Sequence, residues 1–278
     1  MSSSQIRRAY QIARTEGLGE LGGSAVNYTL SHLLPKPTRV RLRAIRYRLA
    51  GHPGVGDPLR VYRVPVSELN HCINSSRFAV TTDGFKITDG SWDENAFQIE
   101  EFPLYRMFEK HFEHGVPWEE TARFERRKQY LEEHGSFSEL DLPPGQQSMD
   151  AYREYLAYFD SVYDDIRENG YKTQRELSTD TDFLNRERQH PAFGEIEVLI
   201  GRDGRLIARG GLHRSCLVRI LGLETVPVRT LVRHSQWQAV RDEVATVDRS
   251  NLSDRSRQYL THPEVQDLVC DSGSRMHG

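Results

Sequence analysis

Residues 195–234, EIEVLIGRDGRLIARGGLHRSCLVRILGLETVPVRTLVRH, restrict the fold more than any other part of this sequence. Ile196, Val198 and Ile200 alternate with Glu195, Glu197 and Leu199, which predicts a strand with one apolar face. Asp203-Gly204 is a hairpin turn signal, and a second strand over 205–208 returns antiparallel to the glycine pair Gly210-Gly211. A short helix over 215–221 and a last valine-rich strand complete the unit. Two glycines allow positive φ and let a ligand approach the backbone with no Cβ in the way. His213 and Arg214 then stand at the helix N-terminus, with Ser215 opening the helix. Free N–H groups and the helix dipole favour an anion there, and Arg214 adds a charge-assisted fork worth roughly 1.5–3 kcal/mol. The same residues also suit a plain tight turn with a histidine capping its own helix, so the motif alone leaves both readings open.

Around this unit the chain alternates short strands with long helical stretches. Residues 59–69 alternate as a strand leading into a turn, and 78–88 carry a hairpin signal at Asp83-Gly84. Phe97, Phe102, Tyr105, Phe108 and Phe112 recur at helical spacings and predict a buried aromatic stripe. After a break at Gly115 and Pro117 the helical pattern resumes to Gly135. A further helix over 148–170 puts Tyr152, Tyr155, Leu156, Phe159 and Tyr163 on its apolar side, with Gly170 ending it. Segments 136–147 and 172–194 read as loops. Residues 235–247 read as a helix capped by Ser235, with a last helical piece near 255–260. The expected fold is therefore mixed α/β (α+β), a small sheet with a large helical insertion and a helical N-terminal arm. The expected division is a basic arm over 1–56, a main domain over 57–250 with its insertion at 97–170, and a helical tail over 251–278.

Charge is distributed unevenly. The 278 residues hold 37 Lys and Arg against 40 Asp and Glu, a net charge of -3. Residues 1–50 contain nine basic and two acidic residues, or +7, which leaves 28 against 38, or -10, for the remainder. Arg39, Arg41, Arg43, Arg46 and Arg48 nearly encircle a helical stretch whose apolar residues are Val40, Ile45 and Leu49. A basic arm on an acidic body fits nucleic acid, an anionic membrane surface or an acidic partner, and equally a solvated helix resting on its own body. Mean hydropathy is -0.64, no apolar run reaches the roughly 18 residues needed to cross a bilayer, and a secretory h-region is missing. A cytoplasmic location is expected. Cys72, Cys216 and Cys270 are odd in number and widely spaced, which suggests neither a disulfide framework nor a zinc knuckle. His111 and His114 share a helical face, but no third ligand stands at a recognisable spacing, so no metal site is expected there.

Gly211-Leu212-His213-Arg214, followed by Leu217, Ile220, Leu221-Gly222-Leu223 and Val226-Pro227-Val228, resembles the signature of the ParB/sulfiredoxin superfamily. Val64-Pro65-Val66 and Leu69 are similar to the first strand of that fold. The resemblance lies mostly between 195 and 234 and leaves the helical regions unexplained. It implies a nucleotide site, since sulfiredoxins use ATP, ParB proteins bind and hydrolyse CTP, and free serine kinases belong to the same superfamily. By that likeness Gly210, Gly211, His213, Arg214 and Ser215 hold the phosphates of ATP or CTP, with Mg²⁺ as a possible companion. Leu212 stands where sulfiredoxins carry their catalytic cysteine, which argues against sulfinate reduction. Gly210 stands where many histidine-type members have an acidic residue, which favours binding over turnover. The residues after 250 are too few for the helix-turn-helix domain of ParB proteins.

If the site turns over, phosphoryl transfer or nucleotide hydrolysis fits best, because it demands positioning and cations rather than a special nucleophile. Either needs a carboxylate to hold Mg²⁺ or take a proton. Glu195 and Glu197 on the entering strand, and Asp89 and Asp93 in the Gly-Ser-Trp-Asp loop, are the candidates, with Asp93 and Glu195 the expected catalytic pair. Alternatives are a nucleic-acid-associated, partition-like protein with a nucleotide switch, and a ligand-binding domain without catalysis.

Overall fold

The computed structural model describes residues 34–73, 84–135, 148–177 and 190–269. Strand β7, Thr225–His234, is its axis: ten residues, all but the first buried. Its valine and threonine content suits a strand enclosed on both faces. On one side β7 pairs antiparallel with β1, Val61–Pro65, and, further along, parallel with β3, Lys86–Thr88. Its other side pairs parallel with β5, Ile196–Ile200. The sheet continues through β6, Leu206–Gly210, then β2, His71–Cys72, and β4, Phe97–Gln98. The mixed α/β class expected from the sequence is the one observed. The β5–β6 hairpin turns at Asp203-Gly204 as expected, and Gly204 has φ +82° there. A Cβ at Gly204 would stand 2.6 Å from the Trp237 ring, so the turn also lets the indole pack closely.

Alternation along β5 sorts the two faces of the sheet. Ile196, Val198 and Ile200 join Val226, Val228, Leu206 and Ala208 in the main core. Helix α1, Lys36–Leu49, lies at the β3 side. The insertion supplies α2, Pro103–Phe112, α3, Ala122–His134, and α4, Met149–Asn169, which bury Phe108, Phe124, Leu156 and Phe159 in the main core. The opposite face carries Leu199, Ile207, Leu231 and Val232 against Trp92 and Ile73.

Several boundaries differ from the sequence reading. The aromatic stripe does not begin a helix at Phe97, because that residue lies in β4 and α2 starts at Pro103, which takes the first helical position. Proline suits that position and pushes Phe102 before it into an extended conformation. In α1 the buried residues are Val40 and Ala44, packed with Phe85 and Ala192, while Ile45 and Leu49 are exposed. By contrast α4 follows its signals: Ser148 caps Ala151 N–H at 3.1 Å and Gly170 ends the helix with φ +74°. The arm residues 1–33, the loop 136–147 and the hairpin partner before Gly84 lie outside the described residues.

Residues 252–265 are part of the core, with Leu252, Ser256, Glu264 and Val265 buried. Helix α5, Gln174–Leu177, and helix α6, Leu212–Ile220, precede β7, and α7, Ser235–Thr246, follows it. His234, not Ser235, caps α7 through Gln236 N–H at 3.1 Å. Beyond α8, Asp254–Arg257, Glu264 is 1% exposed. It accepts hydrogen bonds from Arg233 Nε at 2.7 Å and Trp237 Nε1 at 2.8 Å, and pairs with Arg241 Nη1 at 3.2 Å. Burial pushes the Glu264 carboxyl up, but Arg233 and Arg241 outweigh it and hold the pKa at about 2. The unfolded chain therefore takes up this proton first as pH falls. The stability contributed by Glu264 is complete above its ordinary 4.5 and is lost between there and about 2. Glu264→Gln is expected to cost about 3–5 kcal/mol in urea unfolding at pH 7 and to remove this acid-dependent component, which paired melts down to pH 3 measure.

Candidate ligand site at the glycine pair

Strand β6 ends at Gly210, and Gly211 turns the chain into α6 with φ +69° and ψ 30°. That left-handed residue starts the helix at Leu212, earlier than the expected 215, so His213 and Arg214 lie inside its first turn. No side chain caps the helix, and its first turn holds no acidic residue. An arginine in the first turn runs against the dipole unless an anion accompanies it. Arg214 nevertheless folds back to the helix start. Its guanidinium donates to Tyr171 Oη at 3.0 Å and to the Gly194 carbonyl. A Cβ at Gly211 would stand 3.1 Å from Arg214 Nη2 and 3.3 Å from Ile196 Cα, so with φ +69° a glycine leaves the guanidinium this place without crowding.

Glu195 stands beside that cation. It is 3% exposed, with Oε1 accepting from Gln174 N–H at 2.7 Å and Oε2 without a hydrogen-bond partner. Burial pushes its pKa above the ordinary value, against the Gln174 hydrogen bond and the Arg214 charge. A carboxyl raised in this way holds a proton to higher pH than an exposed glutamate does.

The other expected site residues do not gather here. His213 turns away from the helix start into the insertion, bonded through Nε2 to Tyr155 Oη at 2.8 Å and stacked on Phe159 with ring centroids 4.7 Å apart. Burial, then the charges of Arg123 and Arg214, lower its pKa to about 4. It is a neutral hook between α6 and α4, not a cationic phosphate contact. Ser215 is 1% exposed, and its hydroxyl bonds back to the Gly211 carbonyl at 3.2 Å. Asp93 is 2% exposed and clamps Arg202, with Oδ1 2.8 Å from Nη2 and Oδ2 2.9 Å from the backbone N–H. Burial raises its pKa, but the Arg202 bonds and charge prevail and hold it below the ordinary value. Asp93 fastens the hairpin turn beyond the far end of β5, more than roughly 16 Å from Glu195 at strand spacing. The expected catalytic pair is therefore not brought together. Arg233 and His234 serve the Glu264 cluster and the α7 cap. His111 is held by Asp160 at 2.9 Å and the Val116 carbonyl at 2.8 Å, and no group of three possible metal ligands occurs among the described residues.

The sequence reading missed Arg229. It is fully buried in the middle of β7, paired with Glu197 on the adjacent strand, with its guanidinium 4.8 Å from the Phe193 ring centroid. An arginine between Val228 and Thr230 reads as an outward residue of an alternating strand, and nothing local signals its burial. No described helix is long and apolar enough to cross a membrane. Comparison with protein-family profiles, curated proteins and solved structures returns no match.

His213 contributes stability that is complete above its ordinary 6.5 and is lost as pH falls toward about 4, because the unfolded chain protonates first. His213→Phe is expected to flatten the melting temperature between pH 6.5 and 5 relative to the native chain. An unchanged pH profile contradicts the assignment of His213 as a neutral hook.

Proposed function

We propose that this protein binds a nucleoside triphosphate, ATP or CTP, with its phosphates at the turn of Gly210 and Gly211 and the first turn of α6. The observation that carries this reading is Arg214, a cation held against an uncapped helix start that has no acidic residue in its first turn. The free N–H groups and the guanidinium together supply donors for an anion, and the Tyr171 and Gly194 bonds pre-set the side chain. The likeness to the ParB/sulfiredoxin superfamily, carried by Gly211-Leu212-His213-Arg214, favours the same place.

Glu195, beside Arg214, would be the group to hold Mg²⁺ or to take a proton in phosphotransfer or NTP hydrolysis, while the second carboxylate at this turn, Glu197 against Gly210, is paired with Arg229. With Asp93 elsewhere, binding is the function this geometry supports best. In a thermal-shift series with ATP, ADP, CTP and GTP, with and without Mg²⁺, the native chain is expected to be stabilised by at least one triphosphate. Ligand at ten times Kd adds about 1.4 kcal/mol, a rise of roughly 3–5 °C for a chain of this size. Arg214→Ala is expected to lose the shift and His213→Phe to keep it. Absence of any shift in the native chain at millimolar nucleotide overturns the proposal.

A second reading, association with nucleic acid through the basic arm, is favoured by α1, which lacks acidic residues and exposes Arg41, Arg46 and Arg48. It predicts a gel shift that weakens with salt and with Arg41→Gln/Arg46→Gln. A shift indifferent to both discounts it.

A further inference from the structure

Arg229 is not explained by the site at Gly211. Its side chain is on the sheet face opposite α6, since Glu197 and Arg229 face each other in register while Ile196 and Val228 join the core beneath the helix. The guanidinium is completely buried and makes one hydrogen bond, from Nη2 to Glu197 Oε1. Nε and Nη1 have no hydrogen-bond partner. A buried guanidinium with unmet donors is costly, and a single monodentate carboxylate does not satisfy its five N–H groups. On β6 the next cation along is Arg209, whose Nε is likewise buried without a partner. By alternation from Ile207, Arg209 shares the face of Leu199 and Glu197. Phe193 lies against the Arg229 guanidinium, and the Glu197 carboxylate packs directly on Gly210, where a Cβ would stand 2.7 Å from Oε2. The Glu197 side chain is 22% exposed, so the single counter-ion of this arginine is also the group that solvent reaches.

We infer that Arg229 is the buried anchor of a second anion site, at which an oxyanion of a small ligand displaces the Glu197 carboxylate and is met from β6 by Arg209. An oxyanion with several acceptor oxygens can engage the donors that Glu197 leaves idle, which a single carboxylate in its present pose does not. Glu197 thus acts as a resident competitor that keeps the cation neutralised until a ligand with more acceptors arrives. The site opens on the sheet face away from α6, and Gly210 borders both it and the turn at Gly211.

The test uses the full chain carrying Arg214→Ala, so that the Gly211 site does not contribute, and titrates sodium pyrophosphate against sodium chloride at matched ionic strength by calorimetry. Adding Glu197→Gln removes the competing charge and is expected to tighten pyrophosphate by about tenfold or more. Adding Arg209→Ala to that variant is expected to weaken it again, and Arg229→Met, which keeps the side-chain volume, to abolish it. If Arg229→Met does not fold, the Glu197→Gln and Arg209→Ala pair still decides. Unchanged or weaker affinity in Glu197→Gln, or no pyrophosphate binding in any variant, overturns the inference and leaves the idle donors to water only. Succinate in a parallel titration separates a carboxylate ligand from a phosphorylated one. Loss of nucleotide binding in the native chain with pyrophosphate retained here would refute the proposed function and spare this site.

Discussion

The buried cluster of Glu264 with Arg233 and Arg241 is the constraint on which the other packing rests. Two arginines and an indole meet one carboxylate that is 1% exposed. Arg233 also donates to the Val55 carbonyl at 2.7 Å and Arg241 to the Gly54 carbonyl at 2.8 Å. Four separate pieces of chain therefore share one charge: the segment before β1, strand β7, helix α7 and the segment after α8. Breaking such a cluster by removing one partner leaves buried charge uncompensated, which costs far more than the intact cluster contributes over an apolar alternative. Its main consequence is geometric, because β7 cannot shift its register without pulling Arg233 from Glu264.

A fixed β7 in turn fixes β5, and β5 places Glu195, Ile196 and Glu197 at one end of the sheet. That end is where Gly211 turns the chain into α6 and Arg214 folds back. The two cations nearby, Arg214 and Arg229, are on opposite faces of the same strands and are neutralised differently. Arg214 is hydrogen-bonded to a carbonyl and a phenol with Glu195 nearby, whereas Arg229 is paired directly with Glu197. A cation that makes no direct ion pair keeps donors for an anion, whereas a carboxylate bonded to it makes a ligand compete. His213 has the remaining task of docking the insertion, and it does so as a neutral ring among Phe108, Phe159 and Tyr155.

Much of the fold is legible in the sequence wherever the signal is local. The hairpin at Asp203-Gly204, the valine-rich last strand and the capped helix from Ser148 to Gly170 all follow from short-range chemistry. The buried face of α1 does not, since Val40 and Ala44 are chosen by Phe85, a residue 40 or more positions away. The candidate site shows the same division. Gly211 and Arg214 are visible as a glycine pair before a helix, but the early helix start turns Ser215 inward and commits His213 to aromatic partners. Asp93 reads as a free carboxylate in a loop, and only the fold reveals Arg202, 109 residues away, as its partner. Arg229 and Glu264 were missed because charged residues read as exposed until the groups that bury them are placed.

The central claim is that the backbone turn at Gly211 receives a phosphate. Hydrogen exchange of the amides from Gly211 to Arg214, with and without Mg-ATP and Mg-CTP, tests it most directly, since those N–H groups are the proposed donors. Nucleotide-dependent protection of this turn, lost in Arg214→Ala, is the predicted result. Protection confined to other segments, or none at saturating nucleotide, contradicts it.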